Sequence, residues 1–317
     1  MKNSLKKLIC FFSPSYRRLG LLEARLLGLE NSIKQTQRLM QTEADLEWHR
    51  IASLLDKHSG VTDQKRETAL VVNLTTIPSR VHLVHLAIES IFQQSIKADQ
   101  VILWLGEDKF REQGTPSHLE SLKKRGLEIR YCEDVRSHTK LVHAVKQMPE
   151  SIHVTADDDL IYPQKWLELL YDEHVLDGTS VICHRAHKMR LNKHGQVLPH
   201  SQWDYETDQT GPSFSFFPTG SGGVLYPPHS LSEKLHEKET FLKICPTEDD
   251  LWFKAMAMIN GVKARRVNGE LMTDDSMVLV RGSQVVALCH ANVKDDGNYE
   301  QIKNVFEEFD LASLLKD

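Results

Sequence analysis

Between residues 69 and 173 the chain alternates four times between a short strand-like run, the first of them almost wholly apolar, and a stretch with helical spacing, and few folds accommodate that pattern. The runs are Ala69-Leu70-Val71-Val72-Asn73-Leu74, Val101-Ile102-Leu103-Trp104-Leu105, Leu127-Glu128-Ile129-Arg130-Tyr131 and Ser151-Ile152-His153-Val154-Thr155. A strand that is apolar on both sides must be covered on both sides, as in a parallel sheet. The intervening segments predict helices over 81–94, 117–125 and 139–148, with a fourth opening at Pro163 and reaching Glu173. Four β-α units in series imply a mostly parallel sheet with helices on both faces. Ligands bind such sheets at the carboxyl ends of the strands. That rule sets residues 75–80, 133–138 and 157–159 along one rim.

The rest of the chain is less regular. Val181-Ile182-Cys183 reads as a strand, and residues 188–218 as a long loop or a short antiparallel excursion. Thr219-Gly220-Ser221-Gly222-Gly223 leads into a strand at Val224-Leu225-Tyr226, which Pro227-Pro228 stops. A helix is predicted over 248–259, with Thr247 as N-cap and Gly261 as its stop. A further strand over 262–267 and a last helix over 299–309 complete the pattern.

Ahead of this lies a segment of another kind. Leu19, Leu22, Leu26, Leu29, Ile33, Thr36 and Met40 recur at alternating spacings of three and four, the pattern of a coiled-coil seam, although Gly20 and Gly28 weaken it. Residues 1–58 therefore read as mostly helical. Three roles stay open for them: a helix packed on the following domain, a self-association seam, or a basic, aromatic foot on an anionic membrane surface. The first 25 residues carry six Lys/Arg against Glu23 alone. The domain division that follows is 1–62 for the helical extension and 63–317 for the α/β domain.

Bulk properties narrow the function. A formal net charge of −5 argues against general nucleic-acid binding. Five scattered cysteines without a C-x-x-C spacing point to a reducing compartment. The apolar run Leu8-Ile9-Cys10-Phe11-Phe12 is too short for a signal-peptide core, and no run approaches the ~20 residues needed to span a bilayer. The expectation is a cytoplasmic protein, or one peripheral on the inner face of the cytoplasmic membrane.

Two acidic clusters carry the chemistry. Asp157-Asp158-Asp159 closes a buried strand, where adjacent carboxylates repel unless a cation sits among them. Hard Mg²⁺ or Mn²⁺ suits such oxygen ligands. The bland alternative is a cap for the helix opening near Pro163. Glu248-Asp249-Asp250 opens a helix, where acids gain about 0.3–1 kcal/mol each from the dipole. One of them is also a candidate general base.

These blocks resemble the GT-A glycosyltransferases, in particular small bacterial enzymes that build capsular or lipopolysaccharide glycans (family 2-like). The resemblance rests on Leu74-Thr75-Thr76-Ile77-Pro78-Ser79-Arg80, Lys140-Leu141, Val154 through Pro163 with the Asp triplet inside it, Gly222-Gly223-Val224-Leu225-Tyr226-Pro227 and Cys245-Pro246-Thr247-Glu248-Asp249-Asp250-Leu251-Trp252. It implies an α/β, GT-A Rossmann-like fold and a nucleotide-sugar donor, a UDP-sugar by family frequency. It also implies a glycan or lipid-linked glycan acceptor and a Mn²⁺ or Mg²⁺ cofactor. Carried over by position, Asp157 and Asp159 match the metal-holding D-x-D acids, and Asp158 lies at the donor. Thr75, Pro78 and Arg80 match the nucleotide-pocket loop, with Lys140 a candidate donor contact. Asp249 is the first choice for the base, then Asp250 and Glu248. Gly222, Gly223 and Trp252 are candidates to face the acceptor, against a plain tight turn at the glycines and a core position for the tryptophan, and His290 is a candidate further metal ligand. His184 and His187 form an H-x-x-H without a third ligand and read as structural or acceptor-side.

Two rivals stand beside this reading. A phosphotransferase would need an Asp nucleophile closing the first strand, where the chain has Asn73-Leu74-Thr75. A non-catalytic transferase-fold partner, assembled through the seam, is disfavoured by two intact acidic clusters.

Overall fold

Strand β1 (Leu70–Thr75) lies in the interior of a seven-stranded sheet and is buried from its first residue almost to its last. The computed structural model describes residues 14–64, 66–111, 114, 116–268, 277–283 and 298–316. Parallel to β1 run β2 (Gln100–Gly106), β3 (Leu127–Cys132) beyond it, and β4 (Ile152–Thr155) on the opposite side. Val72 pairs with Val101 and with Val154, so the apolar runs are in register across the sheet centre.

Helices cover both faces, as expected from the almost wholly apolar run of β1. The pleat sends Leu70, Val72 and Leu74 to one face. There they pack with α2 (Val84–Phe92) and with the helix that follows β4. Val71, Ile102 and Trp104 face the other way, toward Ala144 of the helix after β3. Short helical segments α3 (Glu107–Phe110) and α4 (Glu120–Lys124) complete the β2–β3 connection, with α5 (Thr139–Gln147) after β3.

The fourth unit differs from its prediction. Pro163 does not open the helix: its carbonyl accepts from the Trp166 amide in a turn, and α6 runs Trp166–Leu176. A two-residue strand, β5 (Leu160–Ile161), intervenes. Next come β6 (Val181–Cys183), β7 (Ala186–Lys188), β8 (Phe216–Pro218), β9 (Val224–Tyr226), α7 (Lys238–Ile244), α8 (Asp249–Ile259), β10 (Ala264–Arg266), β11 (Val278–Leu279) and α9 (Tyr299–Glu308). The sheet order is β10-β6-β9-β4-β1-β2-β3, with β9 antiparallel to both neighbours. β7 and β8 pair antiparallel, the excursion anticipated for residues 188–218. β11 pairs antiparallel with β5.

The mostly parallel α/β sheet flanked by helices is the fold class read from the sequence. Its topology also sets the place of the site. From β1 the chain steps outward through β2 and β3, then returns to the other side of β1 as β4. The β1/β4 boundary is thus a topological switch point, where a crevice opens at the carboxyl ends. Thr75 and Thr76 leave one wall of that crevice, and the Asp triplet leaves the other.

The chain divides into two units, 1–48 and 49–317. The described part of the first is one continuous stretch of helix, since α1 spans Pro14–Leu55. Its seam residues Leu19, Leu22, Leu26, Leu29, Ile33 and Met40 are all more than half exposed. No helix among the described residues is long and apolar enough to cross a membrane.

Candidate functional site

Two helix starts converge on the end of β4. Lys140 stands in the first turn of α5, and Asp249 and Asp250 open α8. α8 takes Glu248 as its cap residue, not Thr247; the Thr247 amide and hydroxyl are engaged instead by the Gln301 side chain. Gly261 stops the helix as expected, at φ +72 with its amide donating to the Met258 carbonyl.

Lys140 joins the two acidic clusters. Its Nζ lies 2.8 Å from Asp157 Oδ1 and 3.0 Å from Asp249 Oδ2, in a side chain that is 8% exposed. Burial works to lower its pKa. The carboxylates of Asp157, Asp249 and Asp250 overcome that and raise its pKa well above the ordinary lysine value. Burial likewise works to raise the Asp249 pKa, but Lys140, with His138 behind it, holds that group below its usual value and ionised.

The remaining acids of the strand-end triplet are held by the β1 loop. Arg80 Nη1 lies 2.8 Å from Asp158 Oδ1 and 3.1 Å from Asp159 Oδ2. Thr76 donates its hydroxyl to Asp158 Oδ2 at 2.5 Å. Pro78 sits in the turn that carries Arg80, whose amide donates to the Ile77 carbonyl. The Asp157 amide donates to the Tyr162 hydroxyl at 2.8 Å, fixing the strand exit. Burial, then repulsion from Asp157 and Asp158, raises Asp159 to about 6 despite Arg80.

On the α8 side, Asp250 Oδ2 accepts the Gly220 amide at 2.6 Å. Burial raises the Asp250 pKa, with the neighbouring Asp249 charge adding to it. Glu248 goes up to about 8, by burial and by repulsion from Asp250 and Asp249. The two acidic clusters thus bring six acids together with two cations that bind four of them, with protonation behaviour ranging from ionised Asp249 to Glu248, which is largely neutral below pH 8.

Several expectations need correction. Thr75 turns its hydroxyl to the Trp104 carbonyl at 3.0 Å and so braces β2, while Thr76, its neighbour on the opposite side of the pleat, reaches the triplet. Trp252 offers no face to an acceptor. It is fully buried between Phe241 and Phe309, and its Nε1 donates to the Leu235 carbonyl at 3.2 Å. Gly222 and Gly223 are buried and serve the α6 contact. The Gly222 carbonyl accepts Trp166 Nε1 at 2.8 Å, and a Cβ on Gly223 would lie 2.5 Å from the Trp166 ring. The glycine that touches the site is Gly220. His184 and His187 are structural: one ring meets the Trp166 carbonyl and the other accepts the Glu206 amide. His290 lies outside the described residues.

Sequence reasoning passed over the roles of Thr76 and Tyr162, and reached Gly220 only as part of the 219–223 turn. A hydroxyl on each side of the strand exit was visible, but which one faces the acids depends on the pleat phase at the end of β1. No sequence signal links Gly220 to Asp250.

The residues fit a divalent cation in part. Among the described residues no cluster of three or more His, Cys, Asp and Glu is arranged to hold a metal. Two carboxylates, Asp157 and Asp159, are nonetheless what Mg²⁺-type sites commonly contribute when the remaining ligands are phosphate oxygens and water. The crevice keeps more acids than cations, so a diphosphate entering without a divalent ion would meet net repulsion.

No protein-family model and no curated protein matches the sequence. Among solved structures the chain is similar to the mannosyltransferase PcManGT from Pyrobaculum calidifontis, determined in complex with GDP-Man and Mn²⁺. The superposition has a TM-score of 0.39 and 14% sequence identity, and covers 71% of this chain and 62% of that one. The chain therefore spans less than two thirds of that protein's length.

Proposed function

We propose that the chain is a metal-dependent glycosyltransferase of the GT-A type. It moves a hexose-type sugar from a nucleotide-diphosphate donor, first among them a UDP-sugar, to a hydroxyl of a glycan or lipid-linked glycan, in cytoplasmic assembly of surface polysaccharide. Residues 63–317 carry the catalysis and residues 1–62 form the extension. The observation that supports this most is Lys140 touching an acid of each cluster, 2.8 Å from Asp157 and 3.0 Å from Asp249. Donor-side and acceptor-side carboxylates then share one crevice at the switch point of the sheet.

The roles follow from the protonation states. Asp157 and Asp159 would hold Mn²⁺ or Mg²⁺, which when bound neutralises the departing diphosphate. Arg80 and Thr76 keep Asp158 and Asp159 aimed into the crevice. Asp249 is a poor base because Lys140 stabilises its charge; it positions the lysine. Asp250 is half-buried, has a raised pKa and is held by a backbone amide, so it suits the base better. In the inverting reaction its carboxylate takes the acceptor hydroxyl proton as that oxygen bonds to the anomeric carbon, while the bond to the diphosphate oxygen breaks on the opposite face.

Calorimetric titration with UDP tests the proposal, with and without Mn²⁺, on the wild type and Asp159→Asn. Binding that needs both the metal and Asp159 is the expected result. A protein that binds neither UDP, GDP nor CMP with any divalent metal would overturn the donor site.

A further inference from the structure

The exposed stripe on α1 is unrelated to the catalytic reading, and its charge pattern specifies its partner. Taking Leu19, Leu26, Ile33 and Met40 as the a positions of a heptad places Leu22, Leu29 and Thr36 at d. Along the first half of the seam the flanking residues fall into two charged sets, while Ser32, Gln37 and Leu39 flank the second half without charge. Arg18 and Arg25 occupy g, while Glu23 and Glu30 occupy e, and all four are exposed. In a parallel, in-register pair each g residue faces the e residue five positions further along the other helix. Arg18 then meets Glu23 of the partner subunit, and Arg25 meets Glu30 of the partner subunit. An antiparallel pair would instead set g against g and e against e, arginine against arginine and glutamate against glutamate. Gly20 and Gly28 occupy b and c, outside the seam, and a Cβ on either would meet nothing within 4 Å. They weaken a lone helix by about 1 kcal/mol each without obstructing a paired one.

We propose that residues 18–40 form a parallel, in-register two-stranded coiled coil with a second copy of this chain. The seam runs about three heptads, near the lower limit for such pairing, so the ion pairs select the arrangement more than they strengthen it. A membrane surface is the competing occupant. It would want lysine and arginine along the polar side of the helix, and here glutamates alternate with arginines beside the apolar stripe.

Sedimentation equilibrium of the full-length chain across a concentration series tests this. A dimer is expected for the wild type and a monomer for Leu26→Asp/Leu29→Asp, with circular dichroism confirming that the α/β fold is retained. Arg18→Glu/Arg25→Glu and Glu23→Arg/Glu30→Arg should each dimerise at least tenfold more weakly, and their mixture should recover the dimer. Met40→Cys, made on a Cys10→Ser/Cys289→Ser background, should cross-link to itself on mild oxidation, since only the parallel register brings the two copies of residue 40 together. A wild type that stays monomeric, or that sediments as a monomer with 3:1 phosphatidylcholine/phosphatidylserine vesicles, would overturn the proposal. So would a dimer indifferent to the Leu26/Leu29 change, or one that Met40→Cys fails to cross-link.

Discussion

Lys140 and Asp249 meet at 3.0 Å across the floor of the crevice, each in the first turn of its own helix. Both are buried, so neither charge has water to fall back on. Lys140→Met is expected to destabilise the protein by about 3–5 kcal/mol, because it leaves carboxylates buried without a counter-charge. Lys140→Met/Asp249→Asn should recover part of that loss, with a coupling of about 0.5–3 kcal/mol. Denaturant unfolding of the wild type, both single variants and the double variant measures it. Additive losses would mean that the contact does not hold the two helix starts together.

The glycines of the 219–223 segment offer a separation of function from folding. A Cβ on Gly220 would lie 2.5 Å from Asp250 Oδ1, at the carboxylate assigned to proton transfer. Gly220→Ala is expected to reduce kcat by about 10²-fold or more with little change in stability, since a general base contributes on that scale. Gly223, at φ +83 and backed by the Trp166 ring, should behave in the opposite way. Gly223→Ala is expected to cost about 1–3 kcal/mol of stability through overpacking and backbone strain. Thermal melts beside steady-state kinetics decide it. Equal effects on both quantities in both variants would refute the division.

Trp252 gives a prediction against its sequence-based role. Enclosed by Phe241 and Phe309, it holds α8 in the core that it shares with α9. Trp252→Phe should leave the acceptor KM unchanged, whereas Trp252→Ala is expected to cost about 3–5 kcal/mol of stability. A selective rise in acceptor KM for Trp252→Phe would restore the sugar contact.

How much of this could be read without coordinates depended on the range of the interaction. The apolar runs at Leu70, Val101 and Val154 disclosed the parallel strands because burial on both faces is written in each run alone. The rim position of Asp157, Asp158 and Asp159 followed from the strand order. The meeting of Lys140 with Asp157 and Asp249 did not, since it joins residues 17 and 109 positions apart through packing of two helices on one face. The choice between Thr75 and Thr76 depended on pleat phase, and β5 at Leu160–Ile161 on a partner strand more than a hundred residues later. Trp252 stayed open between crevice and core because a tryptophan beside an acidic motif looks the same in sequence in either place.

The α8 helix carries one more consequence, four residues beyond Asp250. Lys254 is 3% exposed, its Nζ has no hydrogen-bond partner, and it lines a small cavity with Asp250 and Tyr226. Burial lowers its pKa to about 7, against the ordinary lysine value of 10.5. Between those pH values the unfolded chain holds a proton that the folded chain has released. Stability from this group therefore rises with pH above about 7, by at most about 1.4 kcal/mol per unit. Glu248, raised to about 8, acts in the reverse sense below pH 8, so the wild-type curve alone does not isolate the lysine. The difference between the wild type and Lys254→Met does. The variant is expected to melt higher at pH 6, with the gap closing steadily from pH 7 to 8.5. Melting curves in matched buffers provide the measurement. A gap that stays constant over that range would mean the Lys254 amine keeps its proton in the folded protein, and hence that a counter-charge faces it across the cavity.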